Sequence, residues 1–83
     1  MIVLVALLTD DNTGDIFQAN LHTEDGEVFR WAAVQADGTE EFDGEEYYSL
    51  ENAQTGLTLE MWGEAPQLSI TYMEVAHALP VLQ

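Results

Sequence analysis

Carboxylates are the side chains of this sequence that could do chemistry. The 83 residues include 16 aspartates and glutamates but only one lysine or arginine. Two carboxylates can act as general acid and general base, but only in a pocket that moves their two pKa values apart. A chain of this length forms a thin core with little room for such a pocket. With so many acids, close pairs also arise by chance. We therefore predict that the protein is not an enzyme and has no catalytic residue.

Metal binding is the second chemistry that acidic residues suggest. Asp10 and Asp15 share one loop, but an EF-hand needs an oxygen ligand at position 5 and glycine at position 6. Counted from Asp10, these positions hold Gly14 and Asp15, so the pattern fails. Glu74 and His77 form one Glu-x-x-His, whereas di-iron bundles use two together with further glutamates. The chain also has no cysteine for a thiolate site, and we predict no metal and no cofactor.

The formal net charge of −15 bears on the partner of this protein, because Arg30 is the only lysine or arginine. One cation cannot hold a nucleic-acid backbone, so direct binding of DNA or RNA is excluded. A negative field attracts basic surfaces, and the commonest basic surfaces in a cell are those that hold nucleic acid. Arg30 itself is predicted to neutralise neighbouring carboxylates and to stack on Trp31 or a facing aromatic ring.

The acidic residues fall into two groups along the chain. The first group has seven carboxylates within fifteen residues and no cation among them: Asp37, Glu40, Glu41, Asp43, Glu45, Glu46 and Glu51. The second group comprises Asp10, Asp11, Asp15, Glu24, Asp25 and Glu27. A charge run is ordinarily a solvated face, but soluble proteins normally intersperse both signs. We therefore predict that both groups belong to a partner-binding surface, and the sequence leaves open whether they meet in space.

Turn signals and apolar patterning predict the elements that position these carboxylates. Asp-Gly dipeptides at 25–26, 37–38 and 43–44 are typical of hairpin turns. The continuous apolar segment 2–8 predicts a central strand that is covered on both faces. Further strands, half-buried where apolar and polar residues alternate, are predicted over 16–22, 28–34, 57–62 and 68–73.

Two segments are less decided. Residues 45–54 fit a short helix, because acids occupy the first turn and Gly56 follows the end, but Tyr47, Tyr48 and Leu50 fit a strand as well. The tail over 75–83 contains Pro80, which predicts an edge strand or a packed extension.

These elements predict one acidic domain over residues 1–83. Its fold class is all-β or β-rich α+β: a small antiparallel meander of five to six strands, arranged as a half-barrel or two-layer sandwich, with a short helix near 45–54 as the open alternative. No apolar run approaches the ~18 residues of a membrane span, and the apolar start lacks the basic region of a signal peptide. We expect a cytoplasmic protein without membrane contact.

In size, lack of cysteine and near absence of cations, the whole chain resembles the DNA-mimic inhibitors encoded by phages and mobile elements, which include anti-CRISPR and anti-restriction proteins. These inhibitors share no common motif. The resemblance implies an inhibitor that occupies a basic DNA- or RNA-binding surface of a host defence complex and blocks binding of target DNA. The small size favours a CRISPR effector as the partner. Acids two residues apart on a strand, such as Asp43 and Glu45, lie about 6.8 Å apart, so they can approximate a row of phosphates spaced at ~3.4 Å.

Two alternatives remain from the sequence. A halophile's housekeeping domain carries an acidic coat for solubility in high salt. A small protein-interaction subunit would instead use an apolar contact, for which Phe42, Tyr47, Tyr48 and Trp62 could supply aromatic anchors. The oligomeric state does not follow from the sequence.

Overall fold

A five-stranded antiparallel sheet carries one helix on one face. The computed structural model describes residues 1–75. Its elements are β1 (Ile2–Asp10), β2 (Ile16–Thr23), β3 (Phe29–Val34), β4 (Glu40–Phe42), α1 (Leu50–Glu64) and β5 (Leu68–Glu74). The strand order β4-β3-β2-β1-β5 makes the first four strands a meander, after which α1 returns the chain to the free edge of β1. The prediction of a small antiparallel sheet with one helix is confirmed. The predicted tail element lies outside the described residues except for Val75.

The apolar segment at the start of the chain forms an interior strand, second from one edge of the sheet, but the predicted cover on both of its faces is not observed within residues 1–75. β1 pairs antiparallel with both β2 and β5. Leu4, Ala6 and Leu8 are buried on the face that packs against α1. Val5 and Leu7 point the other way and are only half-buried. Within residues 1–75, therefore, only one face of β1 is covered by a second layer, and that layer is a helix.

The helix begins and ends at ordinary capping signals. The side chain of Ser49, the N-cap residue, accepts a hydrogen bond of 3.0 Å from the backbone N–H of Asn52. At the other end, Ala65 precedes Pro66, and a residue before proline is disfavoured in helical conformation. Ala65 accordingly leaves the helix at φ −146° and ψ 71°. Because α1 continues to Glu64, the predicted strand over 57–62 is wrong.

Three aromatic side chains attach α1 to the sheet. The buried Trp31 indole N–H donates to the carbonyl of Ala53 at 2.8 Å. The Tyr72 hydroxyl on β5 donates to the carbonyl of Gln54 at 3.0 Å. The Tyr47 ring lies across the helix at Gly56, where the lack of a side chain admits it. Ala53 and Leu57 complete the core beneath these contacts.

Replacing Gly56 with alanine is expected to destabilise the protein although alanine is the better helix former. A Cβ atom at Gly56 would lie 2.6 Å from Cζ of Tyr47. The ring would have to leave its place, and repulsive overpacking of this kind costs about 1–3 kcal/mol, against a gain of up to ~1 kcal/mol in helix propensity. Urea unfolding followed by circular dichroism should show a net loss of roughly 1 kcal/mol in the free energy of unfolding.

Gly63→Ala is the matched control. Gly63 lies in the same helix, and a Cβ there would meet no atom within 4 Å. This variant should be as stable as the wild type or more stable. Equal stability of the two alanine variants would contradict the packing of Tyr47 against α1.

Candidate functional site

Carboxylates of the first acidic group line one edge of the sheet, which we call the β4 edge. Asp37 lies in the turn before β4, Glu40 and Glu41 lie on β4, and the chain then continues beside β3 until Tyr47 pairs with Phe29. All members of the group are exposed, and those of the β4 edge are Asp37, Glu40, Glu41, Asp43, Glu45 and Glu46. The seventh member, Glu51, lies instead in the first turn of α1, where a negative charge favours the helix dipole.

Both aspartates of this group hold the turns in which they lie. The Asp37 carboxylate accepts from the backbone N–H and the hydroxyl of Thr39 at 3.0 and 2.7 Å. These two hydrogen bonds, that from the hydroxyl first, lower the pKa of Asp37. Asp43 accepts from the backbone N–H of Glu45 at 2.9 Å. The glycine after each aspartate, such as Gly38 at φ 91°, takes the left-handed conformation that such turns need. The β4 edge therefore carries its charge on fixed backbone.

Two glutamates of the β4 edge have side-chain partners of their own. Glu40 Oε2 accepts from Asn20 Nδ2 at 2.8 Å and lies 2.7 Å from His22 Nε2, and these contacts lower the pKa of Glu40. Arg30 donates to Glu46 Oε2 at 2.7 Å, and this carboxylate raises the pKa of Arg30. The single arginine thus neutralises a neighbouring carboxylate, as predicted. The predicted stacking on Trp31 is not observed, because Arg30 and Trp31 are successive residues of β3 and point to opposite faces of the sheet. Arg30 leaves the rest of the β4 edge without a lysine or arginine partner.

The second acidic group is divided by the fold. Asp10, Asp11 and Asp15 lie at the β1–β2 end of the sheet, whereas Glu24, Asp25 and Glu27 lie in the β2–β3 loop at the opposite end. β2 separates them by its eight residues, which is roughly 25 Å at about 3.4 Å per residue. A compact partner surface can therefore include one of these clusters with the β4 edge more readily than both.

Members of this group also have local contacts. Asp25 accepts from the backbone N–H groups of Glu27 and Val28 at 2.9 and 3.1 Å, and these bonds lower its pKa. Asp10 accepts in the same way from two backbone N–H groups of its own loop. Asp11 accepts from the hydroxyl of Ser69 at 2.9 Å. Like Asp37 and Asp43, these aspartates stabilise turns and loop contacts as well as carrying charge.

The expected strand spacing of Asp43 and Glu45 is not observed. β4 ends at Phe42, and Gly44, between the two acids, has φ 87°. Both carboxylates therefore project from a turn. On β4 itself, successive acids Glu40 and Glu41 point to opposite faces of the sheet, because side chains alternate along a strand.

An apolar groove adjoins the β4 edge, and we call it the α1 groove. It lies between α1 and the sheet and encloses about 330 Å³. Ala19 and Ala33 are on its sheet side, Leu57 and Met61 of α1 form a wall, and Phe17, 53% exposed, lies at one end. Three carboxylates also line it, those of Glu41, Asp43 and Glu60.

Glu60 is the acidic residue of this region that sequence reasoning missed. Its side chain is exposed, but partial loss of solvation beside the groove, followed by repulsion from Asp43, Glu64 and Glu45, raises its pKa. Two of those neighbours belong to the β4 edge, so α1 brings a further carboxylate to that surface. The signal was present in the sequence: Leu50, Ala53, Leu57 and Met61 recur at helical spacing, which places Glu60 one residue from the buried stripe.

The other residues considered for binding are dispersed. Tyr47 is half-buried against α1, whereas Tyr48 and Phe42 are 69% and 48% exposed. The Trp62 side chain and His77 lie outside what the structure describes. In the described part of the chain, no three histidine, aspartate or glutamate side chains are grouped as metal ligands would be.

Comparisons with known proteins add no relative: no family model, no curated protein and no solved structure matches this chain. Among residues 1–75, no helix has the length and apolar character needed to span a membrane.

Glu60→Gln is expected to stabilise the protein at neutral pH. The pKa of Glu60 is raised in the folded state, so the folded protein holds a proton on Glu60 more tightly than the unfolded chain does. As the pH rises above the ordinary pKa of glutamate, ionisation of Glu60 therefore lowers the free energy of unfolding. Glutamine removes this cost. The melting temperature at pH 7 should rise by about 1–3 °C, a modest gain because the side chain is partly screened by water.

The gain in melting temperature should disappear at a pH below the ordinary pKa of glutamate, where Glu60 of the wild type is protonated in both the folded and the unfolded state. Glu27→Gln removes the same charge from the far loop and controls for the change in net charge. A gain for Glu60→Gln that is independent of pH, or equal to that of Glu27→Gln, would show that Glu60 is not coupled to the β4 edge.

Proposed function

We propose that this protein is an acidic nucleic-acid mimic, which binds the basic DNA- or RNA-binding surface of a host defence complex and keeps target DNA from it. The observation that carries the proposal is the β4 edge. Its carboxylates are exposed and follow one another along one edge of the sheet. Within residues 1–75, Arg30, which pairs with Glu46, is the one lysine or arginine that contacts them. Surfaces that hold nucleic acid present lysine and arginine side chains to phosphates, and the β4 edge offers them carboxylates instead.

Preorganisation supports this function. A flexible acidic tail would lose conformational entropy on binding, whereas charges held by short turns lose little. Asp37 and Asp43 are fixed by hydrogen bonds to their own turns, and Glu40 is fixed by Asn20. The partner would meet a surface that already has its bound geometry.

The net charge of −15 supports rapid association. A single-sign field steers an oppositely charged partner over distances of about a Debye length, roughly 8–10 Å in physiological salt. The same field repels DNA, so the protein competes with nucleic acid without binding it. The action is stoichiometric occupation of a site, with no catalysis and no cofactor.

A CRISPR effector is the partner we favour over a restriction enzyme, because a domain this small covers one segment of a nucleic-acid channel rather than a long duplex. A partner of this kind places the protein in the cytoplasm of the host cell, as a phage-encoded inhibitor.

A contact through exposed aromatic side chains is the second candidate. Tyr48 and Phe42 are exposed beside the β4 edge, and such residues are common anchors at interfaces. An aromatic anchor within an acidic rim is compatible with mimicry. A purely apolar contact is a different function, and the two are separable by mutation.

Reversal of Glu45 and Glu46 to lysine should abolish inhibition. Both side chains are exposed, so the fold should persist, and each reversal replaces attraction by repulsion against a basic surface. The measurement is displacement of labelled target DNA from purified CRISPR effector ribonucleoproteins. We expect the double reversal to weaken displacement by about tenfold or more, and added salt to weaken displacement by the wild type.

Reversal of Glu64 and Glu74 to lysine is the matched control, because it changes the net charge equally at residues that belong to neither acidic group, and it should retain most of the inhibition. The proposal fails if the wild type displaces no DNA. It also fails if the Glu45 and Glu46 reversal inhibits like the wild type while Phe42→Ala or Tyr48→Ala destroys inhibition.

A further inference from the structure

The α1 groove is open because the sheet side chains beneath it are short. In the register of the strands, Tyr72, Ala6, Ala19, Ala33 and Glu41 form one row across the sheet. Ala6 and Ala19 are buried, but Ala33 remains exposed. α1 therefore covers the middle of the row and leaves its β3–β4 end uncovered, which creates the space of about 330 Å³. This volume is at the lower end of the range, about 300–1,000 Å³, that ligand pockets occupy.

The rim of the groove has one sign of charge. Glu41 and Asp43 come from the β4 edge and Glu60 from α1, so carboxylates stand on both sides of an apolar floor. Partial loss of solvation and repulsion by neighbouring carboxylates disfavour the ionised form of Glu60. A cation seated between the two sides would relieve that repulsion, and apolar atoms attached to it would fill the floor.

Charge excludes the other plausible occupants. A second copy of the chain would bring another −15 to this rim. Anionic lipid headgroups and nucleic acid would be repelled in the same way. An occupant that satisfies both floor and rim is apolar along one side and basic along the other.

We propose that the α1 groove binds a basic amphipathic peptide segment of the partner protein, with an apolar side chain on the alanine floor and lysine or arginine side chains on the rim carboxylates. This inference rests on the proposed function, since it specifies how the basic partner is recognised. Amphipathic segments commonly dock in this way, with apolar anchors in a groove. Lysine and arginine suit the rim, because their aliphatic stems cover apolar surface while their charged ends remain in water. The groove would give the interface an apolar anchor that charge alone lacks.

Two labelled peptides test the groove by fluorescence anisotropy with the intact protein. One has leucine along one helical face and lysine along the other, and the second has serine in place of every leucine. The wild type should bind the leucine peptide at least about tenfold more tightly, because only that peptide can fill the floor. Equal affinity for the two peptides would overturn the proposal.

Variants locate the binding. Ala33→Phe fills the groove from an exposed position and should abolish the preference for the leucine peptide, whereas Ala36→Phe, exposed but outside the groove, should retain it. Asp43→Asn with Glu60→Gln should weaken binding of the leucine peptide several-fold more than Glu24→Gln with Glu27→Gln. An undiminished preference in Ala33→Phe would show that the peptide binds elsewhere and would overturn the proposal.

The peptide measurement contains neither DNA nor a defence complex. If the groove prefers the leucine peptide while the protein displaces no DNA, the mimic function fails and the groove stands. If DNA displacement is intact and Ala33→Phe changes neither peptide preference nor displacement, the groove fails and the mimic function stands.

Discussion

The hydrogen bond from the Trp31 indole to the Ala53 carbonyl joins the two layers on which the rest of the structure depends. It lies in the interior, where an unpaired indole N–H would be costly, so it fixes both the depth and the direction of α1. Tyr47 can cross the helix only because residue 56 is glycine, and Tyr72 reaches the Gln54 carbonyl from β5, the edge strand opposite β4. Once α1 is held in this way, Glu60 must lie near Asp43. The helix then leaves Ala33, at the β3–β4 end of the row across the sheet, uncovered.

The strands were predictable where their pattern reflected burial on one face. β1, β2, β3 and β5 follow the predicted segments closely. β4 was missed because it has three residues, all exposed, and is held by pairing with β3 rather than by its own β propensity. α1 was misread because Leu57, Leu59 and Met61 also alternate with period two. Leu59 is 59% exposed, so that alternation arose from a surface leucine and not from a buried face.

The candidate site was predictable only as charge. Composition located the first acidic group, and six of its seven members do lie along one edge of the sheet. The sequence did not reveal that four aspartates also hold turns, that the second group is split between opposite ends of the sheet, or that Glu60 joins the β4 edge. These facts depend on contacts between residues far apart in the chain. The α1 groove is of the same kind, because it arises from strand register and helix position together.

The account depends on a fold that is stabilised by its core, so that its negative charge is available to a partner instead of requiring salt. The most direct test is the far-UV circular dichroism spectrum and thermal unfolding at about 10 mM and about 1 M salt, where the Debye length is roughly 30 Å and 3 Å. We predict the same folded spectrum and a cooperative transition at both concentrations, with a higher melting temperature in high salt as repulsion is screened. An unfolded spectrum in low salt that becomes folded only near molar salt would contradict the account and indicate a halophilic domain whose charge serves solubility.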